Sequence, residues 1–85
     1  MTERISILAQ HGSFRLIECG RGCAVIEARA GQVYSLDRQA RRHSDDSEAG
    51  MAEVVGDGGW CDRPTAEERF ARLVRAGEHF AEKIW

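Results

Sequence analysis

The sequence has little of what defines several well-known classes of protein. No apolar run approaches the roughly 20 residues that a membrane-spanning helix needs. Three cysteines in 85 residues are odd in number and too few for a disulfide scaffold of this size. The 12 Lys and Arg do not outnumber the 14 Asp and Glu, and the net charge of −2 argues against a general nucleic-acid or membrane-surface binder. What remains is a globular protein.

Sequence signals for catalysis are also missing. The glycine-rich stretches 20–22 and 57–59 do not match a phosphate-binding fingerprint, and there is no Walker lysine. His11, His43 and His79 fall in a predicted turn, a polar linker and the exposed side of a helix, where nothing brings them to a thiol. We therefore predict a protein that is not an enzyme and has no cofactor.

Length and composition also bound the organisation of the chain. A chain this short buries roughly 60–65% of its unfolded surface, so we expect one domain over residues 1–85. Its first residues lack a signal-peptide pattern, which predicts a cytoplasmic protein with reduced thiols. Eleven of its 12 basic residues are Arg, and Ala and Gly are abundant. This bias suggests a high-GC bacterial genome or its phages and plasmids.

The clearest predicted element is a C-terminal helix over Thr65–Ile84. Thr65 and Glu68 have the form of a capping box, in which each side chain accepts from the backbone N–H of the other residue. Apolar residues recur after it at helical spacing and form one stripe, which is typical of a core helix. The stripe consists of Ala66, Phe70, Leu73, Val74, Gly77, Phe80, Ala81 and Ile84.

Four short segments before this helix alternate with period two and are separated by tight turns, which predicts an antiparallel meander. The predicted strands are Ile5–Ala9, Phe14–Cys19, Cys23–Ala30 and Val33–Leu36. We expect the even-numbered residues to form the face that carries the helix. The fold predicted is thus α+β, a four-stranded antiparallel meander packed on a long C-terminal helix. The core residues predicted are Leu16, Ile26, Phe70, Leu73 and Phe80.

The stretch between the meander and the long helix has two interpretations. Ser44 or Asp46 could cap a short helix over 46–55, with Gly56 at its end. Gly50 inside this segment weakens the helical pattern, so a fifth strand at Met51–Val55 is the alternative.

Two sets of residues could form interfaces. Odd-numbered strand positions place Ile17, Val25 and Val33 among charged residues, and an apolar patch ringed by charge often marks an interface. We therefore expect a homodimer or a bound partner through this face or through a sheet edge. The second set is a candidate partner-binding surface made of four acidic residues and a tryptophan: Asp45, Asp46, Glu48, Glu53 and Trp60.

Two further readings stay open as alternatives. Cys19 and Cys23, joined by Cys61 or a histidine, would make a zinc or thiol module, although one cysteine pair at this spacing is unusual for zinc and predicts no metal. Arg38, Arg41 and Arg42 would make a weak nucleic-acid binder, but so small a basic cluster beside acidic residues is more typical of a solvated linker.

In size and type the chain resembles the small single-domain proteins of phages and mobile elements, including anti-CRISPR inhibitors. The resemblance implies a non-catalytic protein-binding module that blocks a larger bacterial nucleoprotein complex, with the acidic segment competing for a basic channel. The alternative is a housekeeping accessory or dimerisation protein whose acidic segment is merely solvated.

Overall fold

The computed structural model describes residues 4–36, 42–56 and 58–84, and it describes side chains as far as residue 76. Five strands and two helices follow one another along this part of the chain. The strands are Ser6–His11 (β1), Phe14–Cys19 (β2), Gly22–Arg29 (β3), Gln32–Tyr34 (β4) and His43–Asp45 (β5). The helices are Glu48–Val55 (α1) and Arg63–Ile84 (α2). The α+β class, the meander, the short helix and the long C-terminal helix are confirmed.

The strands form a single antiparallel sheet in the order β1-β2-β3-β4-β5. This is one strand more than the four predicted. The added strand, β5, is polar throughout and pairs with β4 from Tyr34↔His43 to Gln32↔Asp45. Because it lacks apolar alternation, it carries no period-two signal. The alternative strand at Met51–Val55 is wrong, since these residues belong to α1.

Each face of the sheet is covered by one helix. On one face α1 packs its Met51 and Val54 against a cluster that includes Ile17, Ile26 and Val33. On the opposite face α2 packs its Ala66, Phe70 and Leu73 against Leu16, Cys23 and Val25. The sheet is therefore the middle of three layers.

The prediction that even-numbered residues share a face is wrong, and the turns explain why. The register pairs Leu16 with Val25 and Ile17 with Ala24, so an even residue of β2 always stands opposite an odd residue of β3. Opposite residues project to the same face, and the parity therefore changes at each such turn. In β1 a bulge at Leu8 shifts the register again.

Both helices begin at a polar cap. In α1 the hydroxyl of Ser47 accepts from the Gly50 N–H at 3.1 Å, so Ser47 is the cap, and neither Ser44 nor Asp46 is. In α2 the predicted cap at Thr65 is wrong, because Asp62 fills that role and the helix begins at Arg63. The Asp62 carboxylate accepts from the Thr65 N–H at 3.1 Å.

The predicted core residues are placed as follows. Leu16 and Ile26 are buried, on opposite faces of the sheet. Phe70 and Leu73 are half-buried and pack against the α2-side cluster. The side chain of Phe80 lies outside the described residues. In the part of the chain that the structure covers, neither helix is apolar enough over a sufficient length to cross a lipid bilayer.

Candidate functional site

An acidic surface lies along β5, the turn after it and α1. It consists of the carboxylates of Asp45, Asp46, Glu48 and Glu53, and we name it the acidic ridge. All four residues are exposed, and residues 43–55 contain no Lys or Arg. Within the described chain none of the four carboxylates forms an ion pair. The ridge therefore presents its negative charge to solvent, and no cation of the described residues neutralises it.

Asp45 is held in place by the residue that caps α1. Its Oδ1 accepts hydrogen bonds from the N–H of Ser47, at 3.2 Å, and from the Ser47 hydroxyl. These bonds stabilise the charged form and lower the pKa of the Asp45 carboxyl below its ordinary value. Asp45 is consequently ionised across the physiological pH range.

Neutral donors also hold two other carboxylates of the ridge. The Glu48 Oε1 accepts from the backbone N–H of Ile5 at 3.3 Å, and this bond ties the start of α1 to the chain just before β1. The Glu53 Oε2 accepts from the Ser44 hydroxyl at 3.4 Å. Because the donors are uncharged, they orient these side chains and leave the net charge of the ridge unchanged.

The ridge lies beside an open edge of the sheet. β5 is the last strand in the order, and it pairs with β4 on one side only within the described residues. Edge strands carry backbone groups that can pair with another chain, and charged side chains are a common means of limiting such pairing. As far as the structure describes the chain, the ridge thus combines carboxylates that lack a cation partner with a strand edge that lacks a neighbouring strand.

Trp60 is half-buried. It packs against the α1-side cluster of the core, and its indole Nε1 is buried without a hydrogen-bond partner among the described residues. Part of this side chain therefore belongs to the core, and its contact with a partner stays a prediction.

The apolar surface predicted at Ile17, Val25 and Val33 is also corrected. All three side chains are buried, at 0%, 6% and 0% exposure, and they lie on two different faces of the sheet. The prediction failed because it assumed that one helix covers one face, whereas α1 and α2 cover both. An interface through this patch would require the chain to open.

The cysteines do not form the site that their spacing suggested. Cys19 belongs to the α1 side of the sheet and Cys23 to the α2 side, and both are free thiols. Cys61 instead stands opposite Cys23 in an isolated antiparallel bridge. Among the described residues no three His, Cys, Asp or Glu side chains are grouped to hold a metal ion. That the purified protein lacks stoichiometric zinc stays a prediction.

The basic cluster is covered only in part. Arg38 and Arg41 lie outside the described residues. Arg42 is exposed, directly before β5, and its guanidinium lies against Gly56 at the end of α1. Binding of nucleic acid by the three arginines therefore stays a prediction.

Arg42 also lines a cleft of about 300 Å³ that sequence reasoning missed. The cleft lies between the middle of β3, the chain that follows β4, the end of α1 and the first turns of α2. A second arginine, Arg69, reaches it from α2. No sequence signal pointed to it, because its walls meet only through the tertiary fold. The remaining lining residues are Ala24, Val25, Ile26, Ser35, Leu36, Val54, Val55, Gly58 and Gly59.

Comparison with protein-family models, with curated proteins and with solved structures finds no match for this chain.

Proposed function

We propose that the protein is a non-catalytic protein-binding module that works in the cytoplasm and docks its acidic ridge on a basic surface of a larger complex. The observation that carries the proposal is the set of four exposed carboxylates without a cation partner in the described chain. Hydrogen bonds orient three of them, so part of the arrangement exists before a partner arrives. A pre-oriented surface loses less side-chain entropy on binding.

Charge complementarity favours a partner that normally binds nucleic acid. A basic channel attracts carboxylates over distances comparable to the Debye length, about 8 Å at physiological salt. Such attraction raises the association rate and discriminates against partners of the wrong charge. An anti-CRISPR-like inhibitor from a phage or mobile element, which blocks a bacterial nucleoprotein complex, is the specific form of the proposal.

The alternative is a housekeeping accessory protein. In that case the ridge only keeps the β5 edge from pairing with other strands, as charged residues do at many sheet edges. The two possibilities differ in one measurable respect: only the first requires a defined protein partner whose binding depends on the ridge.

The experiment is affinity capture from a bacterial lysate with mass spectrometry at low and moderate salt. The test variant is Asp46→Lys with Glu53→Lys, because neither residue caps α1. Its control is Glu67→Lys with Glu68→Lys, which makes the same change in net charge on α2. Among the described residues, Glu67 and Glu68 form ion pairs with exposed arginines of their own helix, and such pairs contribute little to stability.

We expect wild type and the control to retain one defined protein complex, and the test variant to lose it. Equal loss of the complex in both variants would show a general effect of charge and contradict binding through the ridge. Recovery of nucleic acid alone, abolished when Arg38, Arg41 and Arg42 are neutralised, would replace the proposal with the nucleic-acid alternative.

A second proposal concerns self-association at the other edge of the sheet. β1 pairs only with β2 within the described chain, and its Ile7 is 48% exposed. Two copies could pair β1 with β1 and cover this side chain. Light scattering should then show a dimer that Ile7→Lys converts to a monomer. A wild-type monomer at high concentration would contradict this.

A further inference from the structure

One edge of β3 has an interruption in its strand pairing. At its start, Cys23 exchanges two backbone hydrogen bonds with Cys61, at 2.7 and 2.9 Å. Further along, the pairing with β4 begins at Glu27↔Tyr34. These two points are four residues apart, or about 13 Å in an extended chain. Between them no described residue pairs with β3, and we call this stretch the free edge of β3.

Val25 is the residue whose backbone faces this free edge. Successive residues of an antiparallel strand direct their N–H and C=O groups to alternate neighbours. The N–H of Ala28 donates to the Ser13 carbonyl at 2.6 Å, which places the even-numbered residues of β3 on the β2 side. The N–H and C=O of Val25 therefore point away from β2. Within the described chain no backbone hydrogen bond fills this position.

No described residue after β4 fills the gap. Continued pairing would bring Leu36 opposite Val25, but the two share no backbone hydrogen bond. The N–H of Ser35 points to the other side, where it donates to the Arg42 carbonyl at 2.9 Å. Arg42 in turn donates its N–H to the Ser35 hydroxyl at 2.9 Å. The gap opens into the cleft of about 300 Å³, whose lining includes Val25 and Leu36.

The walls of the cleft carry two kinds of chemistry. Arg42 and Arg69 supply two guanidinium groups, and neither forms an ion pair within the described residues. Leu36, Val54 and Val55 supply aliphatic surface. An occupant that satisfies all of these groups needs an anionic end, an apolar part and a main-chain-like donor and acceptor.

We propose that the cleft binds the C-terminal residue of an extended peptide, supplied by another protein. Its carboxylate accepts from Arg42, Arg69 and the Val25 N–H, and its own N–H donates to the Val25 carbonyl. The terminal side chain, an aliphatic one, projects to the same face as Val25 and lies on Leu36, on the α2 side of the sheet. The peptide thus adds one residue of strand to the free edge of β3.

This occupant fits better than a simple anion. Recognition by strand addition takes affinity from main-chain hydrogen bonds, and capture of a terminal carboxylate is a recurring mode of peptide binding. Guanidinium groups match a carboxylate in geometry and charge. A volume of about 300 Å³ lies at the lower end of ligand sites and suits one or two residues.

The site is separate from the acidic ridge, since no ridge carboxylate lines the cleft. Peptide binding is therefore independent of the function proposed above. The ridge variant Asp46→Lys with Glu53→Lys should bind peptide as wild type does, so each proposal can fail alone.

The test is an NMR titration of the full chain with a short polyalanine peptide that ends in valine. The matched probe is the same peptide with its C-terminus amidated. We expect saturable shifts of the Val25 and Ser35 amides, and at least a tenfold loss of affinity for the amidated peptide. This comparison needs no protein variant, so it is independent of any effect on folding.

The affinities of protein variants for the same peptide then show which arginines bind its terminal carboxylate. Arg42→Gln and Arg69→Gln should each weaken binding at least tenfold. Arg72→Gln is the control, because Arg72 is an exposed arginine of α2 that pairs with Glu68 and does not line the cleft. Equal affinity for the free and amidated peptides, no shifts at millimolar peptide, or equally tight binding of acetate or inorganic phosphate would each overturn the proposal.

Discussion

Gly50 of α1 lies against Asp45 of β5 with no room for a side-chain carbon between them. A Cβ at residue 50 would overlap both the carbonyl oxygen and the Oδ1 of Asp45. Glycine in a helix costs about 1 kcal/mol relative to alanine, and the close approach of helix and strand explains why it is present. The contact holds the first turn of α1 on the edge strand and so positions the acidic ridge.

Gly50→Ala should therefore destabilise the protein although alanine favours helix. We expect a loss of roughly 1–3 kcal/mol, because overpacking forces α1 away from β5. The control is Gly58→Ala, since nothing lies within 4 Å of a Cβ at that position; its effect should stay within about 0.5 kcal/mol. Urea unfolding measures both. A more stable Gly50→Ala variant would show that the close contact is absent.

Gly22 is expected to be equally intolerant of a side chain. Its φ is +137°, and a Cβ there would lie 2.6 Å from the Cys61 carbonyl oxygen. Gly22→Ala should lower the free energy of unfolding by roughly 1–3 kcal/mol, because it strains the backbone and displaces Cys61 from its bridge with Cys23. Gly20→Ala, in the same turn but with open space around its Cβ, is the matched control. Equal melting temperatures for the two variants would contradict the close approach of Cys61 to Gly22.

Ile7 and Ile17 stand opposite each other in the sheet, project to the same face and provide a test of burial on the α1 side. Ile17 is fully buried on the α1 side, whereas Ile7 is 48% exposed. Ile17→Ala should cost about 2–5 kcal/mol. Ile7→Ala should cost clearly less. If Ile17→Ala left the free energy of unfolding nearly unchanged and altered partner binding, the result would support Ile17 as an interface residue and contradict its burial.

The Cys23 thiol should make stability fall at alkaline pH. Burial, with additional effects from the hydrogen bond to Glu18 and its charge, raises the pKa of Cys23 from 9.0 to about 11. The folded state therefore holds this proton where the unfolded chain loses it, and the stabilisation present below pH 9 is lost as the pH rises to about 11. The free energies of unfolding of wild type and Cys23→Ala should therefore approach each other as the pH rises over this range. A constant difference between them would contradict the raised pKa.

Local patterns predicted most of the fold. The tight turns predicted at 10–13, 20–22 and 31–32, the period-two segments and the apolar stripe of α2 each depend on residues close in sequence. Strands joined by turns and a long helix are present at these places, with the turns at 12–13, 20–21 and 30–31. The observed boundaries differ from the predicted ones by a few residues where two polar residues could each cap a helix. At the start of α2 both Asp62 and Thr65 could do so, and Asp62 is the cap.

Other features depend on distant residues and could not be read from the sequence. The face on which Val25 lies depends on the register with Leu16, and β5 is a strand only because β4 lies beside it. The cleft was missed for the same reason. Cys61 returns to β3 from 38 residues away, and the end of this bridge defines one side of the gap.

Amide hydrogen exchange along β3 tests the central claim, an unfilled pairing position at Val25, most directly. Ala24 and Ile26 bond toward β2, and Cys23 and Glu27 bond to Cys61 and Tyr34. Their amides should be protected, because exchange then requires opening of the sheet. The Val25 amide should exchange at least about tenfold faster than those of Ala24 and Ile26, and slow when the peptide binds. Protection of Val25 equal to that of its two neighbours in the free protein would contradict the claim.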